Sequence, residues 1–237
     1  MKVIGMLGYT EKVDLVVSIA KTLQLLGKTV LVVDGTNDGK YAYTIPSLET
    51  VDKKYINQFD KIDFAVGFES MADLENYLVS LKINIGLYDY VLIDIDNPKT
   101  YEFFRSKPFD NIYFVIDTSM LSLKKNEDII SSIKVYTTSA TTVEPIKIMY
   151  RGMQTRAFEK YFENRMNSYQ FNWSETELEI IEDDRDKMLY QDFLLTGMIQ
   201  IKRHTRYFIN SIISVISTIA DDVTPNQIRN VIKKGGV

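Results

Sequence analysis

Gly8 and Lys12 are the residues whose identity and position most clearly indicate a chemical function. They lie in the short segment GYTEK near the start of the chain. An apolar run typical of a strand precedes this segment, and an amphipathic run typical of a helix follows it. In nucleotide-binding folds, a loop in this position binds phosphate through backbone N–H groups, a helix N-terminus and a lysine, while a hydroxyl holds Mg²⁺. The segment therefore indicates phosphate chemistry, complete or partly lost.

The elements around this loop form a strand–helix–strand unit. Residues 2–7 (KVIGML) predict the first strand, and apolar residues at helical spacing predict a helix from about Lys12 to Leu26, with Gly27 as its stop. Residues 29–34 (TVLVVD) form a continuous apolar run that ends in Asp34, the pattern of a strand covered on both faces. This unit predicts the start of a parallel α/β sheet.

A second segment carries a carboxylate in a comparable position. Residues 88–98 (YDYVLIDIDNP) predict a buried strand with Asp94 near its end. In open α/β sheets, ligands bind outside the carboxyl ends of the strands, so Asp94 is either a site residue or simply the polar end of a central strand.

Together these segments resemble the MinD/ParA branch of P-loop ATPases, the deviant Walker A proteins of the SIMIBI class. In that family the loop reads K-G-G-x-G-K-[ST], the helix ends in L-G-K, and a second strand of the form Y-D-(four apolar)-D is the Walker B strand. Residues 26–34 (LGKTVLVVD) and 88–94 (YDYVLID) match those two patterns. The resemblance implies a three-layer αβα fold around a mostly parallel, doubly wound sheet.

The resemblance also assigns candidate nucleotide-binding residues. It places Gly8 at the first loop glycine, Lys12 at the phosphate-binding lysine, and Asp94 at the aspartate that positions Mg²⁺ through water. Asp34 falls near the Mg²⁺–phosphate region, although an aspartate there can equally cap the following loop through its own backbone. These two interpretations of Asp34 remain open.

Four positions depart from the family pattern. Leu7 replaces the signature lysine, Tyr9 and Glu11 replace glycines, and Val13 replaces the Ser/Thr that ligates Mg²⁺. Glycines let phosphate approach the main chain, a carboxylate repels polyphosphate, and valine offers no oxygen to a hard cation. The sequence therefore predicts a degenerate P-loop with no catalytic residue, no metal site and no bound cofactor; ATP and Mg²⁺ belong only to an alternative in which the site still works.

The length and composition of the chain bear on its domain organisation, on nucleic-acid binding and on cysteine chemistry. We predict a single domain over residues 1–237, with helices from about 187–237, and the formal net charge of −4 gives no global attraction to nucleic acid. The absence of cysteine excludes disulfides, thiolate metal sites and cysteine nucleophiles. A core strand that starts at Lys2 leaves no room for a signal peptide, so we expect a cytoplasmic location.

The carboxyl-terminal third holds the densest basic cluster. Lys202, Arg203 and Arg206 are candidate partner-binding residues; the alternative is a solvated helical face. His204, between them, is predicted to lie on the surface, and the acidic segment 182–186 is predicted to be a solvated loop. The last helix, from about Thr224, is predicted to pack on the domain, and we expect no direct membrane binding because it has few apolar anchors.

These observations predict a pseudo-ATPase that acts as a scaffolding or positioning protein for a membrane-associated assembly of the secretion or pilus type. Protein partners, a homodimer formed without ATP, and peripheral membrane association through partners follow from the resemblance. A divergent active ATPase switch that retains Lys12, Asp34 and Asp94 is one alternative. A DNA-partitioning ParA-like protein is the other, and it would require a basic surface.

Overall fold

The computed structural model describes residues 1–45, 54–136, 144–150, 155–168, 173–181 and 183–235. Within these residues the chain forms one eight-stranded sheet and a set of α-helices. The strands are β1 (Lys2–Leu7), β2 (Val30–Gly35), β3 (Tyr55–Phe59), β4 (Ile62–Val66), β5 (Tyr90–Ile95), β6 (Asn111–Ile116), β7 (Ile146–Tyr150) and β8 (Glu177–Ile180). The helices are α1 (Val13–Leu25), α2 (Lys40–Thr44), α3 (Met71–Ser80), α4 (Pro98–Phe104), α5 (Met120–Tyr136), α6 (Arg156–Ser168), α7 (Asp184–Thr196), α8 (Arg206–Ile219) and α9 (Pro225–Lys234).

The sheet is mostly parallel, as predicted. Its strand order is β3-β4-β2-β5-β1-β6-β7-β8, and only the hairpin β3–β4 pairs antiparallel. Strand β1 lies between β5 and β6, and β5 separates β1 from β2. Asp34 of β2 is level with Asp94 of β5, and Asp94 is level with Met6 of β1. The carboxyl ends of these three strands therefore meet at one edge of the sheet.

Helices cover both faces of the sheet, which confirms the three-layer architecture. The central strands are buried along their whole length, and their alternate side chains enter two separate cores. One core contains apolar residues of α1, α8 and α9 together with Val32 and Leu92. The other contains apolar residues of α3, α4 and α5 together with Val33 and Ile93.

The last helix packs on the domain, as predicted. Thr224 is its N-cap and forms a capping box with Gln227, and Pro225 is the first helical residue. Its aliphatic residues Ile228 and Ile232 are buried in the core shared with α1 and α8. Across the described residues, no helix combines the length and the apolar character that crossing a bilayer requires.

Two surface predictions for this region are wrong. Asp186, predicted to be in a solvated loop, is buried: its Oδ1 lies 3.0 Å from His204 Nδ1 and accepts the Thr205 N–H at 2.8 Å. His204 is largely buried as well: its ring stacks on Phe208, and its side chain is 10% exposed. Asp183 caps α7, and Asp186 in the first turn of that helix bonds to the residues that directly precede α8.

The pKa shifts of this pair fit its burial. Burial lowers the pKa of His204, although the neighbouring Asp186 carboxylate opposes the shift. Burial acts to raise the pKa of Asp186, but hydrogen bonds from the backbone and hydroxyl of Thr205 hold it below its ordinary value. The histidine is therefore neutral near pH 7 and serves as a packing and hydrogen-bonding group.

Candidate functional site

The loop between β1 and α1 begins at a glycine that no other residue could replace without distortion. Gly8 has φ of +126°, and a Cβ there would lie 2.2 Å from the backbone oxygen of Val115. Its N–H donates to the carbonyl of Ile95 at 3.0 Å, which fastens the loop to the end of β5. Its own carbonyl accepts a hydrogen bond from Lys12 Nζ at 2.6 Å.

Lys12 is folded into the protein rather than extended toward solvent. Its side chain is 1% exposed, and Nζ lies 2.6 Å from Oδ1 of Asp94, which is equally buried. The second oxygen of Asp94 accepts a hydrogen bond from the Tyr41 hydroxyl at 3.0 Å. Burial raises the pKa of Asp94, and the Lys12 ammonium opposes that rise. The predicted phosphate-binding lysine and the predicted Mg²⁺-positioning aspartate thus neutralise each other.

Further hydrogen bonds hold the loop against neighbouring parts of the protein. The Tyr9 N–H donates to Asn126 Oδ1 at 2.7 Å, and the hydroxyl of Thr10 lies 2.9 Å from that of Ser122, so α5 holds the loop. The Val13 N–H, in the first turn of α1, donates to the Glu11 carboxylate at 3.4 Å. A carboxylate therefore lies at the N-terminus of α1, the end of the helix where nucleotide-binding loops bind phosphate.

Asp34 lies at the same edge of the sheet and closes its own loop. One carboxylate oxygen accepts the Thr36 N–H at 3.0 Å and also the Thr36 hydroxyl, while the other accepts the Tyr41 N–H at 3.0 Å. This is the loop-capping geometry, although the register also places Asp34 beside Asp94. Burial raises the pKa of Asp34 to about 6, against the lowering effect of the Thr36 and Tyr41 hydrogen bonds.

The sequence analysis did not identify a second group of charged residues at this edge of the sheet, next to the Lys12–Asp94 pair. Lys40, at the start of α2, lies 3.2 Å from Glu11 Oε2 and 3.2 Å from Asp96 Oδ2. Asp96 is buried and also accepts the Asn37 N–H at 2.8 Å. Burial acts to lower the pKa of Lys40, but the carboxylates of Glu11 and Asp96 outweigh it and raise the pKa. Lys40 thus links the loop after β1 to the loop after β5.

The assembled site has an unfavourable charge balance for a polyphosphate. Two cations, Lys12 and Lys40, face four carboxylates, and each cation is already in an ion pair. The carboxylates are Glu11, Asp34, Asp94 and Asp96. Despite this number of acids, no group of three or more His, Cys, Asp or Glu residues is placed to hold a metal ion anywhere in the described part of the chain.

The three predicted cations of the carboxyl-terminal cluster do not share one surface. Lys202 and Arg206 line one cleft, at the foot of α8. Arg203 is an exposed residue of the turn Ile201–Arg203, and its guanidinium donates to Gln200 Oε1 at 2.9 Å. The cluster is part of a turn and a helix start, so a continuous basic helical face is not formed.

The strand order, the loop after β1 and the aspartates at the ends of β2 and β5 together define the fold of the MinD/ParA-like P-loop ATPases. The described residues match solved structures of this class over nearly the whole chain.

The MinD cell division protein of Aquifex aeolicus superposes with a TM-score of 0.61 at 17% identity, covering 95% of this chain and 99% of that one. In the MinC:MinD complex of the same organism the matching chain gives 0.60 at 16%, with 92% and 96% covered. The pNOB8 ParA protein bound to nonspecific DNA gives 0.53 at 13%, with 94% and 99% covered. No protein-family model and no curated protein sequence matches the chain. At these identities the likeness establishes the fold alone.

The raised pKa of Asp34 gives a pH-dependent contribution to stability. Its pKa is about 6 in the folded chain and 3.8 when unfolded, so between these values the folded state binds more protons. Lowering the pH from neutral to about 5 therefore increases the contribution of Asp34 to the free energy of unfolding by about 1 kcal/mol. Urea unfolding at a series of pH values measures this. We expect the free energy of unfolding of wild type to gain about 1 kcal/mol relative to that of Asp34→Asn between pH 7 and pH 5. Parallel pH profiles of the two proteins would contradict the prediction.

Proposed function

We propose that this protein is a pseudo-ATPase with a MinD/ParA-like fold that serves as a scaffolding or positioning protein. The observation that carries the proposal is the Glu11 carboxylate, which accepts the Val13 N–H at the N-terminus of α1 and pairs with Lys40. In this fold that position belongs to a phosphate. The protein supplies its own anion there, so the loop is complete without a nucleotide.

The residues present do not fit ATP with Mg²⁺. Lys12 is held by Asp94 and by the Gly8 carbonyl, so phosphate could bind it only by breaking a buried ion pair. Val13 provides no oxygen in the place of the magnesium-binding hydroxyl. Position 7 holds a buried leucine instead of the family's signature lysine.

A protein without nucleotide turnover acts through its surfaces. A relative of this fold, MinD, is seen in complex with the protein MinC. By analogy, we propose that this chain binds protein partners of a membrane-associated assembly of the secretion or pilus type. We further propose that it forms a homodimer independently of ATP and reaches the membrane through its partners.

The test is equilibrium binding of ATP and ADP, with and without Mg²⁺, measured by calorimetry on wild type, Lys12→Ala and Glu11→Gly/Val13→Thr. We expect no binding at millimolar nucleotide for wild type. The Glu11→Gly/Val13→Thr variant removes the competing carboxylate and restores a hydroxyl, so any binding should appear there first. Asp38→Gly, which removes an exposed carboxylate just outside the ion-pair network, is the control for lost negative charge.

Tight, Lys12-dependent binding by the wild-type protein would overturn the proposal and favour the divergent ATPase switch. In that case nucleotide at a hundredfold excess over Kd would add about 2.7 kcal/mol to the free energy of unfolding. Salt-sensitive DNA retention would favour the DNA-partitioning alternative. The acidic net charge argues against the latter, although a protein of this fold does bind nonspecific DNA.

A further inference from the structure

A cleft of about 390 Å³ lies between the turn Ile201–Arg203, helix α8 and helix α9, away from the loop after β1. Its accessible apolar part is Ile209, beside the ring of His204; Ile232 also lines the cleft but is only 2% exposed. Helix α9 contacts both the turn and α8, so the walls of the cleft belong to elements that pack on one another. The volume is in the range of small-ligand sites, which suits a few side chains of a peptide.

Four exposed cations surround this apolar floor. Lys202 comes from the turn, Arg206 from the start of α8, and Arg229 and Lys233 from successive turns of α9. None of them forms an ion pair within the described residues; Arg229 has only a long contact, 3.4 Å, with the amide of Asn210. The cleft lining contains no carboxylate. Within the described residues, this cleft therefore brings four unpaired cations together on a protein of net charge −4.

The acid that contacts His204 is bonded within the protein. Asp186 lies behind His204 and accepts hydrogen bonds from the backbone and hydroxyl of Thr205. Because burial lowers the pKa of His204, the ring adds apolar surface rather than a fifth cation near pH 7. The cleft thus requires an occupant that brings negative charge at its rim and apolar surface at its centre.

Two kinds of occupant fit less well. A lipid surface would need the aliphatic residues of α9, but Ile228 and Ile232 are buried against α1 and α8. Nucleic acid binds along extended basic surfaces that contact many phosphates, whereas these cations enclose a compact cleft on an acidic protein. Carboxylates on a short peptide match both the forked guanidinium groups and the confined space.

We propose that this cleft binds an acidic peptide segment of a protein partner. Carboxylates of the segment pair with Arg206, Arg229 and the two lysines, and an aliphatic or aromatic side chain between them contacts Ile209. The inference rests on the proposed role in binding proteins, and it is independent of whether the loop after β1 binds nucleotide.

Fluorescence anisotropy with a set of labelled short peptides that alternate Asp or Glu with Leu, Ile or Phe tests the assignment. The protein variants are wild type, Arg206→Glu/Arg229→Glu, and the control Lys61→Glu/Lys124→Glu, which makes the same charge change at exposed lysines elsewhere. We expect salt-sensitive binding to wild type and to the control, weakened about tenfold by the cleft substitutions. Thermal unfolding of each variant confirms that it is folded.

The assignment is overturned if no peptide of the set binds wild type, or if the cleft and control substitutions weaken binding equally. Stronger binding of a single-stranded oligonucleotide of the same charge, lost in Arg206→Glu/Arg229→Glu, would also overturn it and identify the cleft as a nucleic-acid contact. These outcomes are separate from the nucleotide titration. Peptide binding can fail while the loop remains empty of ATP, and it can succeed in a protein that binds ATP.

Discussion

Replacing Lys12 with methionine is expected to lower the free energy of unfolding by about 3–5 kcal/mol, because it leaves the fully buried Asp94 carboxylate without its counter-charge. For a chain of this size that corresponds to a fall of about 10 °C in Tm. In a loop whose lysine has no carboxylate partner within the protein and binds phosphate, the same substitution would mainly affect ligand binding. Because Lys12 forms a buried ion pair with Asp94, its loss should be measurable without any ligand.

The controls separate the buried pair from lysine loss in general. Lys28→Met breaks an exposed pair with Asp222 and should cost less than about 1 kcal/mol. The double variant Lys12→Met/Asp94→Asn removes both charges while keeping an acceptor for the Tyr41 hydroxyl, so it should recover most of the loss. Urea unfolding measures all three. Equal losses for Lys12→Met and Lys28→Met would show that the buried pair contributes little.

Gly8→Ala is expected to be similarly severe, with a loss of more than about 3 kcal/mol in the free energy of unfolding. A Cβ at this position would meet the Val115 backbone oxygen at 2.2 Å, and the φ of +126° is one that side chains rarely adopt. Relief would require β1 and β6 to separate or the loop to leave Ile95. Many such molecules should fail to fold.

Gly27→Ala is the matched comparison. Gly27 also has a positive φ, +81°, but no atom lies within 4 Å of the position that its Cβ would take. The expected loss is about 1 kcal/mol, the conformational cost alone. Chemical unfolding, or soluble yield where Gly8→Ala does not accumulate, distinguishes the two. A Gly8→Ala protein as stable as Gly27→Ala would mean that the loop after β1 adjusts freely.

The fold was predictable because its main signals are local. The continuous apolar runs of β2 and β5 and the helical spacing of α1 identify a parallel sheet without any knowledge of tertiary contacts. The meeting of Lys12 with Asp94 could be anticipated only from the family resemblance, since 81 residues separate them along the chain. The ion pair between these two side chains depends on how the loop after β1 packs against the end of β5.

The remaining errors concern charged residues whose burial depends on distant elements. Nothing in the local sequence of Lys40 indicates that it bridges Glu11 and Asp96, because those carboxylates come from two other loops. Asp186 and His204 read as surface residues because acids and histidines in polar segments usually are. They contact each other only in the folded chain, where the start of α7 packs against the residues that precede α8.

The position of β1 in the sheet has a consequence for synthesis on the ribosome. This strand is translated before its two neighbours, β5 and β6, which begin at Tyr90 and Asn111. At a translation rate of about 5–20 residues per second, roughly 5–15 s pass between the synthesis of β1 and that of β5. The nascent chain therefore presents a central strand and an apolar helix face without their partners during that interval. We expect this segment to be a binding site for chaperones acting at the ribosome.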